Sequence, residues 1–511
     1  MKINLKEWRS TILVLGIILV GSFFLRTVNL ASFPIFADES IYIRWAQVMR
    51  SEPTLRFLPL SDGKQPLFMW LIIPFLKIFH DPLISGRIVS SLAGLGSTIG
   101  IFILTYLLFK SKKSSLVTSL LYAVSPFTLF FDRMALVDSL LSFFAIWSFI
   151  FIYLTAKFKR LDTAMISGFL LGAAYLTKSP AILFMILSFS FILFSKKEKA
   201  KFVFLNLISI SIAMFIYNIL RLGPNFHLIS SRNLDYVYPI SHLWERPLDP
   251  FLPYFDRIIS WIVLMGPSSI FVLILLSVCL FLKKYTKEIF VLSLWFLFPA
   301  SVAAMFTKAI TARYVLYTIP PLFILSSVVF SKTKSSSVNK IAYLALIITV
   351  YVAFKFNFIL LTKPLETPLS TGEKDGYLAE WSSGVGIREV ATLLKEIRDK
   401  NPDKSILVGT EGYFGTLPDG LQVYLEKEPR INVIGVGLNI SQVPDSLVAS
   451  KKAGNLTYLV ANSSRLTFEK DFSEYGLKEL YSVRKPNRTK NTHEWTANGD
   501  YDTFYLLELT Q

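Results

Sequence analysis

One cysteine and four histidines in 511 residues exclude two kinds of chemistry at once. Cys279 can form no intrachain disulfide, and a lone thiol inside an apolar run reads as packing. So few imidazoles leave no basis for a His-rich metal centre. Nucleotide-binding glycine patterns are missing too: GTEGYFGTLPDG holds several glycines but matches neither GxGxxG nor a Walker sequence. No fixed-period repeat points to a solenoid, and no pair of inverted halves points to a transporter. A cleavable leader is also not expected. MKINLKEWRS followed by an apolar run has the charge order of a signal peptide, but Arg26 and Asn29 follow without a small-residue cleavage pattern.

Hydrocarbon is what the chain has in excess. Hydrophobic residues make up 53% of it, with 44 Phe. Apolar stretches of near-spanning length cover about 10–29, 84–109, 115–131, 136–156, 162–178, 180–195, 202–221, 257–282, 288–306, 314–330 and 341–361. The expectation is a polytopic α-helical membrane protein of about eleven spans. The net charge of +17 fits that reading without nucleic acid, because the basic residues form short clusters between spans and no single stripe. Lys2/Lys6/Arg9, Lys110/Lys112/Lys113, Lys157/Lys159/Arg160, Lys196/Lys197/Lys199, Lys283/Lys284/Lys287 and Lys332/Lys334/Lys340 occupy every second connection. The positive-inside rule then expects a multi-pass plasma-membrane protein with a cytoplasmic N-terminus and an extracytoplasmic C-terminal domain.

The spans and large outer loops form an expected membrane domain over 1–361. Its outer loops cover about 30–83, with amphipathic stretches such as SIYIRWAQVMR, and about 222–256, rich in Pro, aromatics and charge. After the turn-rich linker LETPLSTGEKDG, residues 362–511 read as a small α/β domain. EVATLLKEIRDK has helical spacing, while SILVGT, INVIGVG, NLTYLVANSS and DTFYLLEL read as strands. Sequons at Asn439, Asn455, Asn462 and Asn487 would permit glycosylation in a suitable host.

Ionisable residues at the outer span ends carry the chemistry. Asp38-Glu39 follows the first span in FPIFADESIYIRWAQ, where a carboxylate beside hydrocarbon loses solvation. The alternative for Asp38 is a helix N-cap, with Ser40 and Ile41 opening the helix. Lys64 precedes a returning apolar segment, Arg87 opens the second span, and Arg313 stands near the tenth. Asp132-Arg133 reads either as site residues or as a solvated turn pair. Asp138 sits about one turn into an apolar helix, where an unpaired carboxylate is costly. Lys178 and Lys308 read first as snorkelling anchors.

In order along about residues 30–330 stand DES at Asp38-Glu39, KQPLFMW at Lys64, GRIVSSLAG at Arg87, DRMALVDSLLSFF ending its motif on Asp138, AAYLTKSPAIL, and ARYVLYTIPPLFIL at Arg313. Together they resemble the polytopic, lipid-carrier-dependent glycosyltransferases of the GT-C fold, and within these the protein O-mannosyltransferase and aminoarabinose transferase group. Gln65 departs from that group's K-P-P-L-x-x-W pattern, leaving the lysine in place. No motif covers the C-terminal domain.

The resemblance implies an inverting transfer from a polyprenyl-phosphate sugar to a hydroxyl of a protein, lipid or polysaccharide at the extracytoplasmic face, with membrane lipids around it. Lys64, Arg87, Arg313 and Arg133 would bind the donor phosphate. Asp38 would take the acceptor's proton, Glu39 would orient the acceptor or the loop, and Asp138 would hold the acceptor. Alternatively, Asp38 and Asp138 would hold a divalent cation, Mg or Mn by the oxygen character of the ligands. A lipid or sugar transporter would instead place its charges mid-span. An oligosaccharyltransferase of the same fold would call for a WWD-type motif, and WSSG at Trp381 is not one.

Overall fold

The computed structural model describes residues 5–331, 335–468 and 471–510. Lys2, Lys332 and Lys334 of the basic clusters lie outside the described residues. The chain packs as two compact units. One comprises Met1–Val28, Thr54–Leu71 and Arg87–Leu361; the other comprises Asn29–Pro53, Ile72–Gly86 and Thr362–Gln511. Thus the segment carrying Asp38-Glu39 packs with the C-terminal region, a division finer than the expected boundary between 361 and 362.

The first unit is a helical array. Among the described residues six helices are long and apolar enough to cross a membrane: Lys6–Thr27, Pro82–Phe109, Val137–Phe158, Lys199–Leu222, Thr286–Phe306 and Ser336–Thr362. Counting each bent helix pair as one span raises the number to nine. The protein is therefore polytopic and α-helical. The bends have local causes. Lys112–Val124 and Pro126–Asp132 meet at 56°, because Pro126 cannot donate to the preceding turn. The stretch expected as one straight span at 257–282 is instead two helices, Phe251–Met265 and Ser269–Phe281, bent by 105°. Gly266 and Pro267 stand in the break, one permissive and the other lacking an N–H. Cys279 lies on the exposed side of the second piece and is not packed inward.

The second unit contains a five-stranded sheet: β1 (Ile406–Glu411), β2 (Ile431–Gly437), β3 (Leu456–Asn462), β4 (Leu477–Arg484) and β5 (Thr503–Leu509). Their order is β2-β1-β3-β5-β4. β1 pairs parallel with β2 and β3, and β5 pairs antiparallel with β3 and β4. The central strands β1 and β3 are apolar and buried almost throughout, as strands covered on both faces must be. Leu447, Leu459, Ala461, Leu477, Leu507 and Leu509 form the core of one face. β4 was not expected from the sequence. LKELYSVR is an edge strand with mostly exposed positions, so its pattern carries little apolar signal. Of the four sequons, Asn462 is buried at the end of β3, and its Nδ2 donates to Glu411 Oε1 at 2.8 Å.

Helix Ala37–Ser51 belongs to this unit. Its Gln47 Nε2 donates to Val423 O at 2.9 Å, and Arg50 pairs with Glu426 at 2.9 Å. Both partners lie on or just beyond helix Asp419–Leu425.

Candidate functional site

In the membrane unit the quoted motifs converge through their side chains. Asp138 is the second residue of helix Val137–Phe158, within its first turn, where the helix dipole favours a carboxylate. It is fully buried, and Lys178 Nζ donates to its Oδ1 at 2.6 Å. Lys178 is thus a buried-pair partner, and the snorkelling reading does not describe it. It ends helix Leu161–Thr177 in extended conformation, which turns its side chain out of the helix line. Its ammonium also lies 4.3 Å from the centre of the Tyr314 ring, and the Arg313 guanidinium sits 5.3 Å from the same ring. Asp138 Oδ2 has no hydrogen-bond partner among the described residues. A buried carboxylate oxygen in that state is a place for a ligand donor.

Lys64 has its own ion pair. Its ammonium pairs with Asp62 at 2.9 Å, and Asp62 also accepts from Arg232 at 2.6 Å. Neighbouring Gln65, the residue that departs from the motif, donates through Nε2 to Ser179 Oγ at 2.6 Å. That bond ties the lysine motif to the residue next to Lys178.

Arg87 is fully buried in helix Pro82–Phe109. Arg133 is nearly so, with Nη1 donating to Leu25 O at 2.7 Å. The Arg133 guanidinium lies within electrostatic reach of Arg87 and Arg26. Ser90 Oγ donates to Leu136 O at 3.1 Å, joining the Arg87 helix to the Asp132–Asp138 turn.

Asp132 is no part of a solvated turn. It is fully buried and held by Arg26, whose Nε and Nη2 reach its Oδ2 at 3.0 and 2.9 Å. Arg26 Nη1 further donates to Ser22 Oγ at 2.7 Å and Ala123 O at 3.1 Å. This buried ion pair fixes the first span against the turn through Asp132 Oδ2, while Asp132 Oδ1 has no hydrogen-bond partner among the described residues. Lys308 caps a loop helix, donating to Leu234 O at 2.5 Å.

Asp38 and Glu39 lie in the other unit, on helix Ala37–Ser51, whose N-cap is Phe36. Asp38 is therefore not the N-cap; it sits inside the first turn, half-buried. Glu39 performs the capping: it is fully buried, and its Oε2 accepts from the Phe36 N–H at 3.0 Å. That fixes Glu39 as a structural anchor of the helix start, with Asp38 presented beside it.

Among the described residues no group of three or more His, Cys, Asp or Glu converges as a metal site. Of the two Asp138 oxygens, Oδ1 accepts from the Lys178 ammonium and Oδ2 has no hydrogen-bond partner among the described residues.

Known proteins resemble the chain at two levels. Residues 63–220 match the family of Dolichyl-phosphate-mannose-protein mannosyltransferase. No curated protein sequence matches it at a significant level. Among the solved structures that share its architecture are the following three. ArnT from Cupriavidus metallidurans in the apo state aligns with 12% identity and a TM-score of 0.55, over 90% of this chain and 93% of that one. ArnT from the same organism bound to undecaprenyl phosphate aligns with 14% identity and a TM-score of 0.52, over 98% of each chain. The oligosaccharyltransferase AglB from Archaeoglobus fulgidus, in complex with an inhibitory peptide and a dolichol-phosphate, aligns with 14% identity and a TM-score of 0.51, over 90% of this chain and 70% of its own. The chain has the GT-C fold, and the stretch that matches the mannosyltransferase family model, residues 63–220, runs from the lysine motif through the Lys178 motif.

Proposed function

We propose that the chain is an integral-membrane glycosyltransferase that moves a sugar from a polyprenyl-phosphate carrier to a hydroxyl acceptor at the extracytoplasmic face, with inversion. The observation that carries this reading is the Asp138–Lys178 pair within the family-matched region, with the Lys178 ammonium and the Arg313 guanidinium meeting over the Tyr314 ring. Two similar structures hold polyprenyl phosphates, undecaprenyl phosphate in one and dolichol-phosphate in the other. The two shorter apolar helices, Leu161–Thr177 and Ser179–Phe194, added to the nine, support an eleven-span topology with the C-terminal domain outside.

Arg87 and Arg133 are both buried guanidinium groups in the membrane unit, and a phosphate is the anion a guanidinium matches best. They bind the donor phosphate, with Lys64 and Arg313 at its rim. Asp38 accepts the proton as the acceptor oxygen attacks the anomeric carbon. The bond from that carbon to the phosphate oxygen breaks with its electron pair, and polyprenyl phosphate leaves as an anion held by the cations. Asp138 holds Lys178 in place and offers its second oxygen to the acceptor. A divalent cation, Mg or Mn, held by Asp38 and Asp138 is the competing arrangement, and a chelator would then abolish transfer.

The test is transfer by the purified protein in vesicles, supplied with polyprenyl-phosphate sugars and read by release of polyprenyl phosphate. Release with an inverted product supports the proposal. Movement of lipid across the bilayer with no release would make the protein a transporter.

A further inference from the structure

We propose that the loop Glu380–Gly384 is a clamp on the residues that lead into Asp38, and that buried Lys485 is the positioning residue that locks it. The inference rests on the reading of Asp38 as the general base. All parts belong to the second unit. Ala37 N–H donates to Ser382 O at 3.0 Å and Gly384 N–H donates to Ile35 O at 2.8 Å, so Phe36 and Ser383 face each other in a short antiparallel bridge. The Phe36 ring packs on Tyr377, with centres 4.4 Å apart. These bonds end one residue before Asp38. Together with the Glu39 cap they fix both sides of the base, and a helix start held only by its own first turn would fray.

The approach is close because residue 384 is glycine. A Cβ there would stand 2.4 Å from Ile35 Cγ2 and 2.5 Å from the Ile35 carbonyl oxygen. The clamp itself is held from below. Lys485, 2% exposed, donates through Nζ to Glu380 O at 2.9 Å and Ser383 O at 2.8 Å, the two ends of the turn. Its own N–H donates to Asp502 O at 2.9 Å, where Asp502 pairs with Arg488 at 3.1 Å. At the far end of the segment, Asp375 Oδ1 accepts from the Thr489 N–H at 2.9 Å and the Thr489 hydroxyl at 3.0 Å. A buried lysine aimed at two carbonyls of one turn is an expensive way to hold a loop unless the loop's position matters. Burial holds the Lys485 ammonium down to about 8, offset by Asp502, Glu411 and Glu380 and reinforced by Arg488.

The experiment compares intact wild-type protein in vesicles with Lys485→Met, Gly384→Ala and the exposed control Lys478→Met. It measures amide hydrogen exchange over residues 33–41 and over β3, and the rate of sugar transfer. Loss of the clamp raises exchange over 33–41 by about tenfold or more while β3 stays protected. Transfer kcat falls by about 10- to 100-fold with the donor KM changed far less, because the base is displaced and the phosphate cations are not. The control changes neither. Unchanged exchange over 33–41 in both variants overturns the clamp. Raised exchange with unchanged kcat overturns its link to Asp38. If wild type transfers no sugar from any donor, the glycosyltransferase reading fails by itself, and the exchange result still decides the clamp.

Discussion

Replacing Lys178 by Met separates a buried pair from a surface contact. Lys178 Nζ stands 2.6 Å from Asp138 Oδ1, with Asp138 fully buried and Lys178 23% exposed. At an effective dielectric near 20, two unit charges at that distance attract by about 6 kcal/mol, before the cost of removing both from water. The desolvation cost takes back much of this, but it is not refunded when one partner goes. Lys178→Met leaves the fully buried Asp138 carboxylate near Tyr317 without its counter-charge. The expected loss is about 3–5 kcal/mol of folding stability. Asp138→Asn together with Lys178→Met removes both charges, and the double variant should sit within about 1–2 kcal/mol of wild type. The four proteins form a double-mutant cycle, read by equilibrium unfolding in mixed micelles. A coupling below about 1 kcal/mol, the range of exposed ion pairs, refutes the reasoning.

Gly94→Ala tests the second buried pair, since its Cβ would stand 2.2 Å from Asp132 Oδ2 and 2.6 Å from Arg26 Nε. The same unfolding assay should show a loss of about 1–3 kcal/mol, and an unchanged midpoint would mean that the pair tolerates displacement. In the second unit, burial and the neighbouring Glu494 and Asp375 push the Glu380 carboxyl up to about 7 against Arg488. The folded state therefore keeps this proton where the unfolded chain, at 4.5, has lost it. Its contribution is present below about 4.5 and is lost as pH rises through about 7. Glu380→Gln should flatten the fall in melting temperature between about pH 5 and pH 8, and an unaltered slope contradicts the assignment.

Span positions and the four apolar strands were legible because periodicity and length are local properties of the chain. The pairings were not. Lys178 and Asp138 are 40 residues apart, and Arg26 and Asp132 are 106 apart, so no window holds both partners. Alone, Lys178 looked like an anchor, Asp132 like a site residue or a turn, and Asp138 like a costly unpaired carboxylate. Asp38-Glu39 was legible as an unusual acidic pair, but the division of labour within it depends on where the helix starts. Phe36 as N-cap follows from the bridge to Ser383, a contact with a residue far along the chain. The same long-range contact explains why 29–53 packs with the C-terminal residues, which no motif covers. The bend at Gly266-Pro267 was visible as a dipeptide, but its size of 105° is set by packing.

The most direct test of the account is single-turnover transfer from a polyprenyl-phosphate sugar by wild type and by Asp38→Asn, with donor binding measured on the same samples. The carboxamide keeps the shape and loses the base. The account predicts a rate lower by about 10²- to 10⁴-fold with donor affinity retained. Equal rates in the two proteins would contradict it.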